Sequence, residues 1–258
     1  MREILDDLRA EQEALELLLL ELRDGQWDLP TPAEGWSVRD QISHIAHIDE
    51  VAVQILKGDL TPLEEAKSLL MGFNDVGLRR GRSMSTGQIL QWWRGAREEM
   101  LHVLSRLDPK DRLPWFAMPM SARAFATARL METWAHGLDC FDAAGRAPQD
   151  TDRLRHVALL ACLARPWAYT VHGLPVPERP LRVELVLPSG SPWTFGPEDS
   201  PDRILGSAGE FCRVAVRRLN WLDTSLKPQG EEARRFLEIA QCYAGAPGTG
   251  RKPKKTSQ

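Results

Sequence analysis

Met131-Glu-Thr-Trp-Ala-His-Gly-Leu-Asp-Cys-Phe141 sets Glu132, His136 and Asp139 at i, i+4 and i+7, one stripe of an α-helix, with Leu138 and Phe141 able to bury nearby. The run belongs to a helix expected from near Ser121 to near Gly145. Three further long helices precede it. Leu5, Leu8, Leu15, Leu18, Leu19 and Leu22 form the apolar stripe of the first, which should stop near Gly25. Ser37 and Asp40 form an S-x-x-D capping pattern that opens the second, through Ile42, Ile45, Ile48, Val51 and Ile55 to Gly58. A short helix follows Pro62, and the third long one runs from about Gly87 through Trp92, Met100, Val103, Leu104 and Leu107 to the Asp108-Pro109 break. Four such helices predict an antiparallel four-helix bundle over residues 1–148, whose interior suits a metal site built from facing helices.

After a further helical stretch from about Asp152 to Trp167 the texture changes. Pro175, Pro177 and Pro180 lead into the alternating strand Leu181–Leu187, a turn at Pro188–Pro192 and a partner strand at Trp193–Phe195. Helices over Ala208–Leu219 and Glu231–Ala244 complete a small α+β domain, so the chain reads as α-rich and two-domain. Residues 149–245 form the linking helix and this second domain. Residues 246–258, with Arg251, Lys252, Lys254 and Lys255 among Gly, Pro and Ser, read as a disordered basic tail.

Composition narrows the partners. The 258 residues are 43% hydrophobic and 27% charged, enough for a substantial core, and the formal charge of -3 gives no drive toward nucleic acid or an anionic membrane. A small-molecule or protein partner is the default. Cys140, Cys162, Cys212 and Cys242 are far apart in sequence, form no Cys-x-x-Cys pair and sit in apolar helical contexts, which fits a reducing cytoplasm. The Leu17–Leu20 run is too short and too charge-flanked for a signal peptide or membrane span.

The Glu-x3-His spacing needs a control. With 6 His and 19 Glu in the chain, about 0.4 such pairs arise by chance, and Glu98 and His102 show the same spacing as a surface pair. Trp134, Leu138 and Phe141 set Glu132 and His136 apart, because on a buried helix an unpaired carboxylate is costly and a metal would satisfy it. His44, in the apolar run Ile42-Ser-His-Ile-Ala-His-Ile48, is the candidate third ligand. The alternative is a buried hydrogen-bond network. His47 is a supporting group or alternative ligand, while Asp49 and Glu50 read as solvated. If the triad binds a metal, two imidazoles and one carboxylate suit Zn2+ and leave a fourth position open. A thiol there would lose its proton near neutral pH. Asp139 would hold a ligand imidazole in its tautomer or take a proton, or else is an exposed carboxylate.

Gly35-Trp36-Ser37-Val38-Arg39-Asp40, Ser43-His44 and Arg129-Leu-Met-Glu-Thr-Trp-Ala-His-Gly-Leu-Asp139 resemble the mycothiol-dependent maleylpyruvate isomerase family, within the DinB/YfiT-like metalloenzymes. The likeness spans most of the chain: Trp193-Thr-Phe-Gly-Pro-Glu198, Ile204-Leu-Gly-Ser207 and Val214-Ala-Val-Arg-Arg218 resemble that family's sterol-carrier-protein-like C-terminal domain. The resemblance implies zinc on His44, Glu132 and His136, a low-molecular-weight thiol such as mycothiol as cosubstrate, and a basic group from the second domain, matched by Arg217 or Arg218. It implies a cytoplasmic thiol transferase or isomerase, monomeric or homodimeric, acting on a small electrophile. A hydrolase using zinc-bound water and a non-catalytic binding module are the alternatives.

Overall fold

The computed structural model describes residues 1–69, 72–116 and 118–254, so Lys255 of the basic tail lies outside the described residues. Contacts divide the chain into two compact units, Met1–Pro148 and Gln149–Gln258. Among the described residues no helix is long and apolar enough to cross a membrane.

The first unit is helical. Its elements are α1 (Arg2–Glu21), α2 (Val38–Leu56), α3 (Thr61–Leu69), α4 (Phe73–Arg82), α5 (Thr86–Leu104) and α6 (Ala122–Ala143), with a short antiparallel pair, β1 (Arg112–Leu113) and β2 (Met120–Ser121), leading into α6. The capping pattern forms as the sequence predicts. Ser37 Oγ accepts from Asp40 N–H, and Asp40 Oδ2 accepts from Ser37 N–H at 3.0 Å, which fixes where α2 begins. Helix α2 runs against α4, α5 and α6, while α1 lies on α6. Leu19, Ile42, Ile45, Ile89 and Trp93 fill the space between them at 2% exposure or less. Each such side chain contributes about 1.5–3 kcal/mol by leaving water.

Helix α4 is an element the sequence reading missed. Gly77 and Gly81 weaken its helical signal, and the structure shows why they stand there. A Cβ on Gly81 would lie 1.8 Å from Ser43 Oγ, and one on Gly77 would lie 2.6 Å from His47 Cβ, so α4 packs on α2 at a spacing that only glycine permits. Arg82 then grips the α2 cap, its Nε 2.8 Å from Asp40 Oδ1 and its Nη2 3.1 Å from Asp40 Oδ2.

The second unit contains a sheet of order β4-β3-β5-β6, with β3 (Leu181–Val186), β4 (Pro192–Phe195), β5 (Asp202–Ser207) and β6 (Lys227–Gln229). The expected β3–β4 hairpin is present, with Val183 opposite Phe195. Strand β5 pairs parallel to β3 with Val183 beside Ile204, and β6 closes the other edge antiparallel. Helices α7 (Leu154–Leu163), α8 (Arg165–Val171), α9 (Ala208–Ala215) and α10 (Glu231–Ile239) complete the unit. The stretch expected as one helix from Asp152 to Trp167 is broken at Ala164, and α9 ends four residues before Leu219. Beyond Gly245 the backbone makes specific contacts: Asn220 Nδ2 donates to Arg251 O at 2.9 Å, and Lys254 N–H donates to the Asp223 carboxylate at 3.0 Å.

Candidate metal centre

Helices α2 and α6 pack face to face, and this brings His44 together with Glu132 and His136. One potential ligand atom from each lies within 4.8 Å of the others. The two imidazole rings are 4.7 Å apart, centroid to centroid. Trp36, just before the α2 cap, lies 5.2 Å from the His44 ring and stacks at 14° and 6.0 Å on His136. The control pair behaves differently: Glu98 and His102 are both exposed on α5.

The protonation states suit a cation. Burial drives His44 well below the ordinary histidine value, and the neighbouring charge of His136 adds to this, so its imidazole is neutral and can donate a lone pair. Burial raises the Glu132 carboxyl, but its close contact with His136 and the charge of Arg129 more than offset it, leaving a value of about 2. Glu132 Oε2 sits 3.2 Å from His136 Nε2. His44 Nδ1 is buried without a hydrogen-bond partner, an orphaned lone pair or proton that a protein interior rarely tolerates. Two imidazole nitrogens and one carboxylate oxygen are a donor set that fits a divalent cation such as zinc.

The surroundings correct three expectations. Asp139 is 1% exposed, so it is not a solvent-facing carboxylate; it lies 3.5 Å from Gln41 Nε2, and Gln41 Oε1 in turn lies 2.5 Å from His136 Nδ1. Asp49 is not solvated. Its side chain is fully buried, and Arg129 of α6 approaches Oδ1 with Nε at 2.9 Å and Nη2 at 2.8 Å. His47 turns to α4, its ring 5.3 Å from Phe73, and is not one of the three clustered groups. Glu50, in contrast, is partly exposed and paired with Arg80 at 2.6 Å. Gln41 and Arg129 escaped the sequence reading, although a glutamine and an arginine on the apolar faces of two core helices were the available signal.

A profile of the mycothiol maleylpyruvate isomerase N-terminal domain matches residues 8–141, the part of the chain that carries all three clustered residues. The chain belongs to that family. An uncharacterized protein of Mycobacterium tuberculosis, present in strains CDC 1551 / Oshkosh and H37Rv, is 40% identical over 248 residues, covering 95% of this chain and 96% of the relative. Among solved structures, crystal structures of the mycothiol-dependent maleylpyruvate isomerase and of a histidine-to-alanine mutant of it share the fold. Each has a TM-score of 0.57 at 16% identity, over 84% of this chain and 89% of the other.

Arg217 and Arg218, the basic groups that the family resemblance pointed to, stand in the second unit. Arg217 follows α9 at a positive φ of 63°, and its guanidinium donates to Glu238 O at 2.9 Å and to Gly248 O. Arg218 Nη1 donates to Val216 O at 3.0 Å.

Proposed function

We infer that this chain is a zinc-dependent enzyme that uses a low-molecular-weight thiol, mycothiol or a close chemical relative, on a small electrophilic metabolite. The observation that carries this reading is the meeting of His44, Glu132 and His136 on facing helices in a member of the maleylpyruvate isomerase family. In this reading α1, α2, α5 and α6 are the DinB-like four-helix bundle, and the second unit is the sterol-carrier-protein-like domain.

The chain's own residues set the chemistry up. His44 and His136 offer nitrogens, Glu132 offers an anionic oxygen, and Trp36 walls the two imidazoles with an apolar ring. Bound by these groups, zinc would favour the thiolate of an incoming thiol near neutral pH. A thiolate adds to a cis alkene conjugated to a carbonyl, forming a C–S bond and leaving a single bond that rotates. Elimination then breaks the C–S bond, releases the thiolate and gives the trans alkene, so the thiol acts as a borrowed nucleophile. Asp139, buried and 3.5 Å from Gln41 Nε2, is the carboxylate this reading assigns to proton handling.

The test is thiol dependence. Calorimetric titration of zinc-loaded protein with mycothiol should saturate, and turnover of a cis enone-type acid should require the thiol. Turnover unchanged in thiol-free buffer would sink this reading.

A further inference from the structure

Two polar residues, Gln41 on α2 and Thr31 in the loop before it, form a chain of hydrogen bonds that ends on a proposed ligand. Thr31 N–H donates to Trp36 O at 2.8 Å, and Thr31 Oγ1 donates its one proton to the same carbonyl at 2.9 Å. With that proton committed, Oγ1 faces Gln41 as an acceptor, so the Gln41 atom 2.9 Å from it must be the amide nitrogen. The Asp139 carboxylate, 3.5 Å from the same nitrogen, favours the same orientation. Gln41 Oε1 is therefore the atom turned toward His136 Nδ1, 2.5 Å away. A carbonyl oxygen only accepts, so Nδ1 carries the proton and the lone pair of the neutral imidazole sits on Nε2.

That lone pair faces Glu132 Oε2 at 3.2 Å. Two acceptors at this distance repel unless a proton or a cation lies between them. The opposite tautomer would let Nε2–H donate to Glu132, a satisfied bond that closes the site. The relay therefore decides whether the His136–Glu132 pair bonds to itself or is left open to a shared cation.

We propose that Thr31 and Gln41 are positioning residues that hold neutral His136 as its Nδ1–H tautomer and so keep the His136–Glu132 pair ready to accept a divalent cation. The use to which this readiness is put rests on the metal-centre reading; the tautomer itself does not. Gln41 is fully buried, so the amide has no water to turn toward, and Gln41→Leu removes the acceptor without leaving the site wetter by design. Thr31→Val breaks the relay one step earlier, and Thr31→Ser preserves it.

Long-range proton–nitrogen correlation spectra of the metal-free protein, with imidazole nitrogens labelled and His136 assigned by His136→Gln, report the tautomer directly at a pH where the ring is neutral. Wild type and Thr31→Ser should show Nδ1–H, and Gln41→Leu and Thr31→Val should shift toward Nε2–H. Zinc affinity by chelator competition should fall about 10–100-fold in Gln41→Leu, fall in Thr31→Val and stay at the wild-type value in Thr31→Ser. An Nε2–H tautomer in the wild type overturns the proposal without any variant being needed, as does an unchanged tautomer in Gln41→Leu. Correct tautomers with no zinc binding in the wild type would uphold the relay and overturn the metal centre instead.

Discussion

Arg129→Met should be among the most damaging single changes in the first unit. The guanidinium lies at 4% exposure against Asp49, whose side chain is fully buried, with contacts of 2.9 and 2.8 Å to Oδ1. Removing the arginine leaves a carboxylate sealed in the core, and breaking such a pair costs about 3–5 kcal/mol. For a chain of this size each kcal/mol moves the melting temperature by about 2–4 °C, which places the loss at about 6–20 °C. Burial already pushes the Asp49 carboxyl above its ordinary value of 3.8 against the pull of Arg129. Without Arg129 the folded state binds the proton more tightly than the unfolded one, so the deficit should shrink as pH falls and grow as it rises. Asp49→Leu combined with Arg129→Met removes both charges and should recover most of the loss, because apolar replacement of a buried pair is often neutral. Thermal melts followed by far-UV circular dichroism check the cycle. A single variant melting within about 2 °C of wild type, or a double variant as unstable as the single, would refute the reasoning.

Acid should destabilise the metal-free protein in two stages. His44 is held well below 6.5, so the unfolded state binds its proton first and stability falls as pH drops below that value; Glu132, held near 2 against an ordinary 4.5, adds a second loss between those two values. His44→Gln should remove the first limb and Glu132→Gln the second, in melting temperature plotted against pH. Gly81→Ala should cost about 1–3 kcal/mol in urea denaturation through overpacking against Ser43. Ser43→Ala should rescue it only in part, because Ser43 Cβ itself lies 2.5 Å from the added methyl position.

The long helices of the first unit were legible because their signals are local. The Ser37 and Asp40 cap, the stripe of α1 and the span of α6 each lie within one element, and the structure places α6 at Ala122–Ala143 against an expected Ser121 to Gly145. Helix α4 was hidden by Gly77 and Gly81, whose reason is contact with a different helix. Strands β5 and β6 were missed for a related reason: β5 contains Gly206 and is defined by parallel pairing with distant β3, and β6 is only three residues long. At the centre, spacing nominated Glu132 and His136, and an apolar context nominated His44. Gln41 and Arg129 carry no spacing signal, since Gln41 meets Thr31, His136 and Asp139 at 10, 95 and 98 positions and Arg129 meets Asp49 at 80, so only packing reveals them and the part Thr31 plays. Asp49 reads as solvated from the sequence, whereas α4, α5 and α6 pack against α2 and its side chain is fully buried against Arg129.

The central claim is that His44, Glu132 and His136 hold a divalent cation. Wild type and a His44→Ala, His136→Ala double variant, saturated with zinc, desalted and analysed by elemental mass spectrometry, test it most directly. The account predicts about one zinc per chain in the wild type and close to none in the variant. Equal zinc in the two proteins, or none retained by either, would contradict it.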